Sequence, residues 1–276
     1  IVHRLVGSEM CIRDRVRAPK AVVNVQLTTS DATKTMVAGT AFSTTVDGVN
    51  YQFVTISDKT SSNSGDVVTF DSTEIYEGTY VIGKTIVDTS NPDQKFILTD
   101  PNADTSTLTV KVQNSTSDTT STTYTKATDI TQLNTSSTVY YLQEAERGRF
   151  EVYFGDGVVS KALTNGNIVI LSYVVTNKGA ANGVSTFSAP TAIDGATDII
   201  VTTVSNAVGG AEAESVDSIK LNAPLNYSAQ GRAVTTSDYE VYVKRLFPNT
   251  QSVSIWGGED GSFDPSTGVS STPEYG

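Results

Sequence analysis

Histidine, the commonest general base, and cysteine, the strongest nucleophile, are scarce in this chain of 276 residues. Its one histidine is His3 and its one cysteine is Cys11, and both lie within the first fifteen residues. The rest of the sequence therefore lacks the residues needed for a serine–histidine–aspartate triad, a cysteine nucleophile or a Cys–His zinc site. A disulfide within the chain is excluded too, because it needs two cysteines.

Paired carboxylates are the remaining candidates for catalysis. Glu144 and Glu146, or Glu212 and Glu214, could supply the acid and the base of a glycoside hydrolase. Residues two positions apart on a strand or at a helix start rarely converge on one substrate, so we favour structural roles for all four. We therefore predict that the chain is not an enzyme and that it has no catalytic residues.

Calcium and sugars are the other ligands that the sequence leaves open. Asp156, in a Phe-Gly-Asp-Gly segment, lacks the further oxygen ligands that calcium requires. The acidic, glycine-rich residues 259–264 could also hold calcium, but an exposed connector is the better interpretation. Tyr140, Tyr141 and Tyr153 could form an aromatic platform for carbohydrate, but we favour packing in a sheet for residues of this type. No metal, cofactor or small-molecule substrate is predicted.

The first fifteen residues look like a translated laboratory sequence. Residues 5–15, Leu-Val-Gly-Ser-Glu-Met-Cys-Ile-Arg-Asp-Arg, match the translation of an adapter used in transposase-based sequencing libraries. The alternative is a short natural basic arm. We expect residues 1–15 to be adapter-derived, non-native and unstructured, and the natural protein to extend upstream of Val16.

Charge narrows the choice of partners. The chain has 30 acidic and 19 basic residues, a net charge of −11. Binding to nucleic acid or to anionic lipid headgroups needs a basic surface, which this balance opposes. No apolar run approaches the roughly 20 residues that a membrane-spanning helix needs. We therefore predict neither nucleic-acid binding nor membrane insertion.

The elements that must position any site are mainly strands. Serine and threonine are abundant beside valine, isoleucine and tyrosine, a composition typical of pleated sheets. Period-two alternation and short apolar runs predict the strands, and the Asp47-Gly48 pair predicts a hairpin turn between two of them. Strands are expected at 21–27, 36–42, 51–54, 67–70, 76–87, 107–113, 139–142, 150–154 and 168–175, with polar loops at 58–66 and 114–123.

A change of pattern after Ala207 predicts a small α+β unit. Residues 211–223 have early acidic and late basic residues, which suits a helix that ends at Pro224. Ser237-x-x-Glu240 has the spacing of a capping box and predicts the start of a second helix. A strand is expected at 251–256.

The predicted fold class is therefore mainly β, with antiparallel β-rich regions followed by two short helices and a strand. We predict a β-rich region at 16–138, a second at 139–206 that contains the Phe-Gly-Asp-Gly turn, and the α+β unit at 207–276. The sequence stops without a closing signal, so we expect this last unit to be cut short.

Three segments carry a family resemblance. Residues 149–157 include the Phe-Gly-Asp-Gly turn and lead into the apolar strand at 168–175; residues 209–215 begin with Gly-Gly; residues 232–240 contain an Asp-Tyr pair. In this order and spacing they resemble the baseplate J-like family, which includes baseplate wedge subunits of contractile-tailed bacteriophages. The candidate structural motif residues are Phe154, Gly155, Asp156, Gly157, Gly209, Gly210, Glu214, Asp238 and Tyr239.

The residue types indicate how these motifs would work. Phe154 should be buried at the end of a strand, and Gly155 and Gly157 permit a tight turn. Asp156 should cap that turn by accepting hydrogen bonds from backbone amides. Gly209 and Gly210 should let the chain enter the first helix sharply. None of these features supplies a reacting group.

The resemblance implies a structural component of a tail baseplate wedge. Such a protein would assemble with itself and with other wedge proteins, and would relay the trigger from host contact to sheath contraction. It would be synthesised in the bacterial cytoplasm and end in the virion tail. This chain alone should associate weakly or not at all. The alternative function is an adhesin or tail-fibre-like carbohydrate-binding β module, which the composition alone would allow.

Overall fold

The computed structural model describes residues 15–91, 94–128, 133–213, 215, 217, 220, 224, 227, 232–246 and 252–256. Predictions about residues 1–14, about Glu214 and about the acidic segment 259–264 lie outside this part of the chain. Residues 15–212 form one compact unit, and residues 1–14 and 213–276 are assigned to another.

Strands dominate the larger unit, so the prediction of a mainly β chain is confirmed. In chain order, the described strands are β1 (Lys20–Thr28), β2 (Thr33–Met36), β3 (Ala41–Val46), β4 (Val49–Val54), β5 (Lys59–Ser64), β6 (Val67–Glu77), β7 (Thr79–Ile86), β8 (Phe96–Leu98), β9 (Ala103–Gln113), β10 (Ser121–Lys126), β11 (Val139–Glu144), β12 (Phe150–Phe154), β13 (Ile168–Val175) and β14 (Ile199–Val208).

These strands form two sheets of seven within the described residues. The first sheet has the order β14-β1-β6-β4-β3, with β5 pairing with both β6 and β2. The second sheet has the order β7-β13-β9-β10-β11-β12-β8. Every described strand pair is antiparallel except β10–β11, which is parallel. The predicted antiparallel character therefore holds with this one exception.

The inner face of the first sheet is covered by residues 178–198, whose described part contains no strand. Strand β1 directs Ala21, Val23, Val25 and Leu27 inward by simple alternation. Residues 178–198, between β13 and β14, cross this face. They bring Ala181, Val184, Ile193 and Ala196 into the core, and Phe187 packs edge-on against Phe53 with ring centroids 4.9 Å apart.

The second sheet curves around its own core. Its cluster combines side chains from β8 at one edge with side chains from β13 near the other. The hydroxyl of Tyr173 on β13 accepts a hydrogen bond from the backbone N–H of Thr99, which directly follows β8, at 3.3 Å. Contacts across the cluster between such distant strands require the sheet to curl.

The chain path inserts the second sheet into the first. The chain leaves the first sheet after β6, completes β7 to β13, and returns to the first sheet as β14. The regions predicted at 16–138 and 139–206 therefore do not coincide with the sheets, since strands from both sides of residue 138 meet in the second sheet. Local periodicity locates strands but does not reveal which strands pair.

Some of the predicted strands and loops are confirmed and others are wrong. The strands expected at 21–27, 139–142, 150–154 and 168–175 are confirmed, and so is the Asp47-Gly48 turn, in which both residues have positive φ. The loop expected at 58–66 is wrong, because β5 occupies most of it. Strand β5 has no apolar residue to show an alternation, and its backbone bonds to two neighbours define it instead. The loop expected at 114–123 ends earlier, where β10 begins.

The helical prediction needs correction at both helices. Ala211 forms a β-bridge with Arg17, and neither Glu212 nor Ala213 is helical, so no helix begins at 211. Pro224 is itself in helical conformation, as is Tyr227, so Pro224 does not end the helical region. No helix of the described part is long and apolar enough to cross a membrane.

The helix with described bounds is α1 (Thr236–Leu246). Its capping box is formed by Thr235 and Asp238, not by Ser237 and Glu240. The backbone N–H of Asp238 donates to Oγ1 of Thr235 at 3.2 Å, and the Asp238 carboxylate accepts from the N–H of Thr235 at 2.9 Å. Both pairs have the same spacing, but Asp238 stands where the usual capping box has Glu or Gln, so the sequence pattern favoured the wrong pair.

The strand expected at 251–256 is also wrong for its described residues. Residues 252–256 have no regular secondary structure and pair with none of the described strands. A strand requires a neighbour for its backbone groups, whatever its apolar pattern.

Arg15 corrects the expectation that all of residues 1–15 are unstructured. Its guanidinium lies over the ring of Phe150, 5.0 Å from the centroid, and donates a hydrogen bond to Oγ1 of Thr105 at 3.3 Å. A cation over an aromatic face is stabilising. This residue therefore packs on the second sheet.

Candidate functional site

The Phe-Gly-Asp-Gly segment begins at the last residue of β12. The ring of Phe154 meets those of Phe96 and Tyr124 edge-on, with centroids 5.6 and 5.5 Å apart. Phe154, the last residue of β12, is half-buried, whereas the sequence predicts that it is buried. The ring nevertheless joins strands β8, β10 and β12 in one aromatic cluster.

The glycines that follow allow the chain to fold back on itself. Gly155 forms a parallel bridge with Ala162, and the N–H of Gly157 donates to the carbonyl of Ser160 at 3.0 Å. A methyl group added at Gly155 would lie 1.9 Å from Oγ of Ser160 and 2.8 Å from its carbonyl oxygen. Gly157 has φ of +90°, where a side chain is disfavoured. Residues 155–162 thus form a closed loop that tolerates little substitution.

Asp156 stabilises this loop from its exposed side. Its Oδ1 accepts a hydrogen bond from the backbone N–H of Val158 at 3.0 Å, which is the capping bond that the sequence predicts. That hydrogen bond holds the pKa of the Asp156 carboxyl below its usual value. The described residues contain no group of histidine, cysteine and acidic side chains that could hold a metal ion. Asp156 therefore acts here on the backbone.

Gly209 and Gly210 do not open a helix but lie where three segments meet. The side chain of Asn182 binds both backbone groups of Gly210, at 3.0 Å to its N–H and 2.8 Å to its carbonyl. A methyl group at Gly210 would lie 2.4 Å from Cγ of Pro19 and 2.6 Å from the carbonyl oxygen of Lys178. The predicted role in helix entry is wrong because close backbone approach is what requires this glycine.

The predicted acidic residues Glu212 and Asp238 have different structural roles. Glu212 forms an ion pair with Lys178, at 2.6 Å, and does not lie at a helix start. Asp238 caps α1, and the backbone N–H of Thr235 lowers the pKa of its carboxyl. Tyr239 lies on the first turn of α1 and is half exposed. Asp156 and Asp238 thus act on nearby backbone groups, whereas Gly210 is required by segments that are distant in sequence.

Two buried carboxylates at the junction of the sheets are absent from the sequence-based candidates. Glu77 ends β6 with a side chain that is 0 % exposed. Its oxygens accept hydrogen bonds from Oγ1 of Thr176 at 2.7 Å, from the N–H of Asn177 at 2.9 Å and from Nδ2 of Asn177 at 2.8 Å. Alternation gave a usable signal, since Glu77 shares the inward phase of Thr73 and Ile75.

Asp104 fixes the junction from the other side. Its Oδ2 accepts a hydrogen bond from the N–H of Ala18, which precedes β1, at 2.8 Å. Its Oδ1 accepts from the N–H and the hydroxyl of Ser106, at 2.8 and 2.6 Å. A buried carboxylate is tolerated only when such donors satisfy it. Glu77 and Asp104 therefore bind the two sheets together by polar contacts whose loss would be costly.

The tyrosines considered as a sugar platform have other roles. Tyr140 belongs to the buried core of the second sheet. Tyr141 and Tyr153 stack on each other across β11 and β12, with centroids 5.0 Å apart and planes 19° apart. Since each of these rings covers a face of the other, they do not form the flat double platform that sugar stacking would use.

Comparison with known proteins places a similarity on the second sheet. Residues 82–184 match the family described as "Bacteriophage baseplate wedge protein gp6, third domain". This range runs from within β7 to just beyond β13 and includes the Phe-Gly-Asp-Gly loop. The match is thus with baseplate wedge proteins; the resemblance to the baseplate J-like family stays a prediction.

A curated relative agrees with this match. The chain is 28% identical over 134 residues to "Baseplate wedge protein gp6" of Enterobacteria phage T4, which covers 41% of this chain and 20% of that protein. The similarity therefore spans about a fifth of the relative's length.

Proposed function

We propose that this chain is a structural component of a bacteriophage tail baseplate wedge and not an enzyme. The observation that carries the proposal is the match of residues 82–184 to the third domain of a baseplate wedge protein. That range holds six of the seven strands of the second sheet complete, from β8 to β13, and most of β7. The matched segment is thus a folded structural body with its own core.

The same proposal includes assembly with other wedge proteins, with further copies of this chain, and a part in relaying the contraction trigger. The junction of the sheets supports the relay. Val54 of the first sheet and Val174 of the second are both fully buried in a small shared cluster. Together with the Glu77 and Asp104 networks, this cluster lets a load on one sheet pass to the other with little internal movement.

An adhesin-like, carbohydrate-binding role gains no specific support from the structure. The tyrosine pair that could favour it is stacked on itself, and the similarity is to a baseplate wedge protein. The baseplate proposal also includes a location in the virion tail.

Mass spectrometry of purified particles of the phage that encodes the chain tests the proposal. We expect its peptides in intact virions and in isolated baseplates, at a constant ratio to other baseplate proteins. Isolated receptor-binding fibres from the same particles provide the control. Detection in those fibres alone, or absence from the virion, would reject the baseplate role.

A further inference from the structure

The outer face of the second sheet carries four isoleucines on the neighbouring strands β7 and β13. Val169 belongs to the core, so alternation directs Ile168 and Ile170, on either side of it, outward. On β7, Ile86 lies directly opposite Ile168, and Ile82 lies on the same side of the sheet. Ile82 and Ile86 are 54% and 56% exposed. We call these four residues the isoleucine face; contiguous exposed apolar patches are typical of interaction sites.

The strands beneath the isoleucine face are regular. Strand β7 pairs with β13 throughout residues 79–86 without a register shift, and residues 168–172 of β13 pair with β9 without one. At the other end of the same face, Tyr80 and Val174 pack with Val54 of the first sheet. The isoleucine face is thus the uncovered continuation of a surface that already makes one contact between sheets. Because this surface is already ordered, a partner can bind it at little cost in chain entropy.

Two lysines flank the isoleucine face. Lys84 of β7 and Lys111 of β9 lie on opposite sides of Ile170, each paired directly with it. Both lysines are exposed, and neither forms an ion pair with any residue that the structure describes. On its other side, Lys111 lies opposite Thr123 of β10. The strands therefore place two unpaired positive charges on this face of a chain whose net charge is −11.

The composition of the face determines which partner fits it. Isoleucines are stabilised by a second apolar surface that removes them from water. A lysine covered at the same time needs a carboxylate, since an unpaired charge is costly to bury. Two isoleucine faces placed against each other would bring four lysines together, which opposes a symmetric pair of copies through this face. Nucleic acid and anionic lipid need a broader basic surface than two lysines on an acidic chain.

We propose that the isoleucine face, with Lys84 and Lys111, binds an apolar surface edged by aspartate or glutamate on a different protein of the baseplate wedge. All six residues lie within the range 82–184 that matches a baseplate wedge domain. The proposal deepens the assembly with other wedge proteins, and it rests on the proposed function for the identity of the partner.

Charge reversal in the phage that encodes the chain tests this contact. Lys84→Glu and Lys111→Glu are introduced singly and together, and mass spectrometry measures the amount of the chain in purified baseplates. We expect the double variant to fall by roughly tenfold or more, because like charges then face the partner's carboxylates. Lys161→Glu is the matched control for the single variants, since Lys161 is exposed in the 155–162 loop, and it should leave the amount unchanged. Circular dichroism of the recombinant 276-residue chains should show that all variants keep the wild-type fold.

Zero-length cross-linking identifies the partner. A water-soluble carbodiimide, applied to wild-type baseplates, joins a lysine amine to a carboxylate that contacts it. We expect Lys84 or Lys111 to be joined to an aspartate or glutamate of a different baseplate protein. Replacement of that acidic residue by lysine should restore incorporation of the variant in which the cross-linked lysine is reversed.

Three results would overturn the inference in baseplates that contain the wild-type chain. They are normal incorporation of the double variant, cross-links from the two lysines only to another copy of this chain, and no cross-link at either lysine. Absence of the wild-type chain from baseplates is a separate result, which would reject the proposed function and this inference with it.

Discussion

The two sheets solve the problem of burying a β surface in different ways. The first sheet is open and takes its cover from residues 178–198, which reach it only after the whole second sheet has formed its strands. The second sheet curves around its own aromatic and aliphatic side chains and needs no such cover. The difference indicates that the second sheet is the more self-sufficient body. It also contains most of the residues that match a baseplate wedge domain.

The largest expected effect tests which core is more sensitive. Phe53 is fully buried against Phe187 of the covering segment, so Phe53→Ala should lower the free energy of unfolding by about 3–5 kcal/mol. Phe154 is half-buried, and Phe154→Ala should cost roughly 1.5–3 kcal/mol. Urea denaturation of both variants measures the two values. The reverse order would mean that the turn in the second sheet matters more than its burial suggests.

A second change tests whether the sheets unfold together. Glu77→Gln keeps the shape of the side chain but turns an amide N–H₂ towards donors on Thr176 and Asn177. We expect a loss of about 1.5–3 kcal/mol, since a buried group is left unsatisfied. Amide hydrogen exchange, which follows the strands of each sheet separately, should show that the two sheets of this variant no longer unfold together. Glu74→Gln is the control, because Glu74 is an exposed residue of the same strand. Equal effects from both variants would contradict a special role for the junction.

A third change is confined to the second sheet. Gly155→Ala introduces a methyl group against Ser160 and should cost roughly 1–3 kcal/mol by forcing the 155–162 loop to shift. Gly83→Ala provides the comparison, since its methyl group would meet nothing closer than the carbonyl of Leu171 at 3.9 Å. Thermal melts of the two variants should differ clearly. Similar melting temperatures would show that the loop relaxes at no cost.

The smallest expected effect comes from Asp156. Because its folded-state pKa is lowered, its stabilising contribution is present above the unfolded value of about 3.9. That contribution is lost as the pH falls through the folded pKa. Asp156→Asn should therefore differ slightly from wild type at pH 7, and the difference should disappear in strong acid. A difference that grows on acidification would show that the sign is wrong.

How far the sequence could anticipate this fold depends on what each element relies on. Strand β1 shows its alternation in the residues themselves, and the Asp47-Gly48 turn in its dipeptide, so local physics is enough. Strand β5 is polar throughout and is held by two neighbours that lie at different distances along the chain. Its existence is a property of the sheet, which a local pattern cannot contain.

The candidate site followed the same rule. The cap at Asp156 involves a backbone group two residues away, and a local interpretation found it. Gly210 is needed because Pro19 and Lys178 approach it from distant parts of the chain, so its role in helix entry was predicted wrongly. Glu77 and Asp104 likewise have partners about 86 to 100 residues away in sequence. Alternation indicates that Glu77 is directed inward, but the partners of both carboxylates follow from the chain path, which periodicity does not determine.

The insertion of one sheet into the other has a consequence for synthesis on the ribosome. The point of entry at Gly78 lies against the point of exit at Val175, since a methyl group at Gly78 would be 2.2 Å from the Val175 carbonyl oxygen. A chain that emerges from its N-terminus makes β1 to β6 first, but their cover and their last strand arrive more than a hundred residues later. The second sheet has all its strands before then. We therefore expect the later-made sheet to fold first, while the earlier-made one waits, with its apolar inner face accessible to chaperones, until β14 emerges.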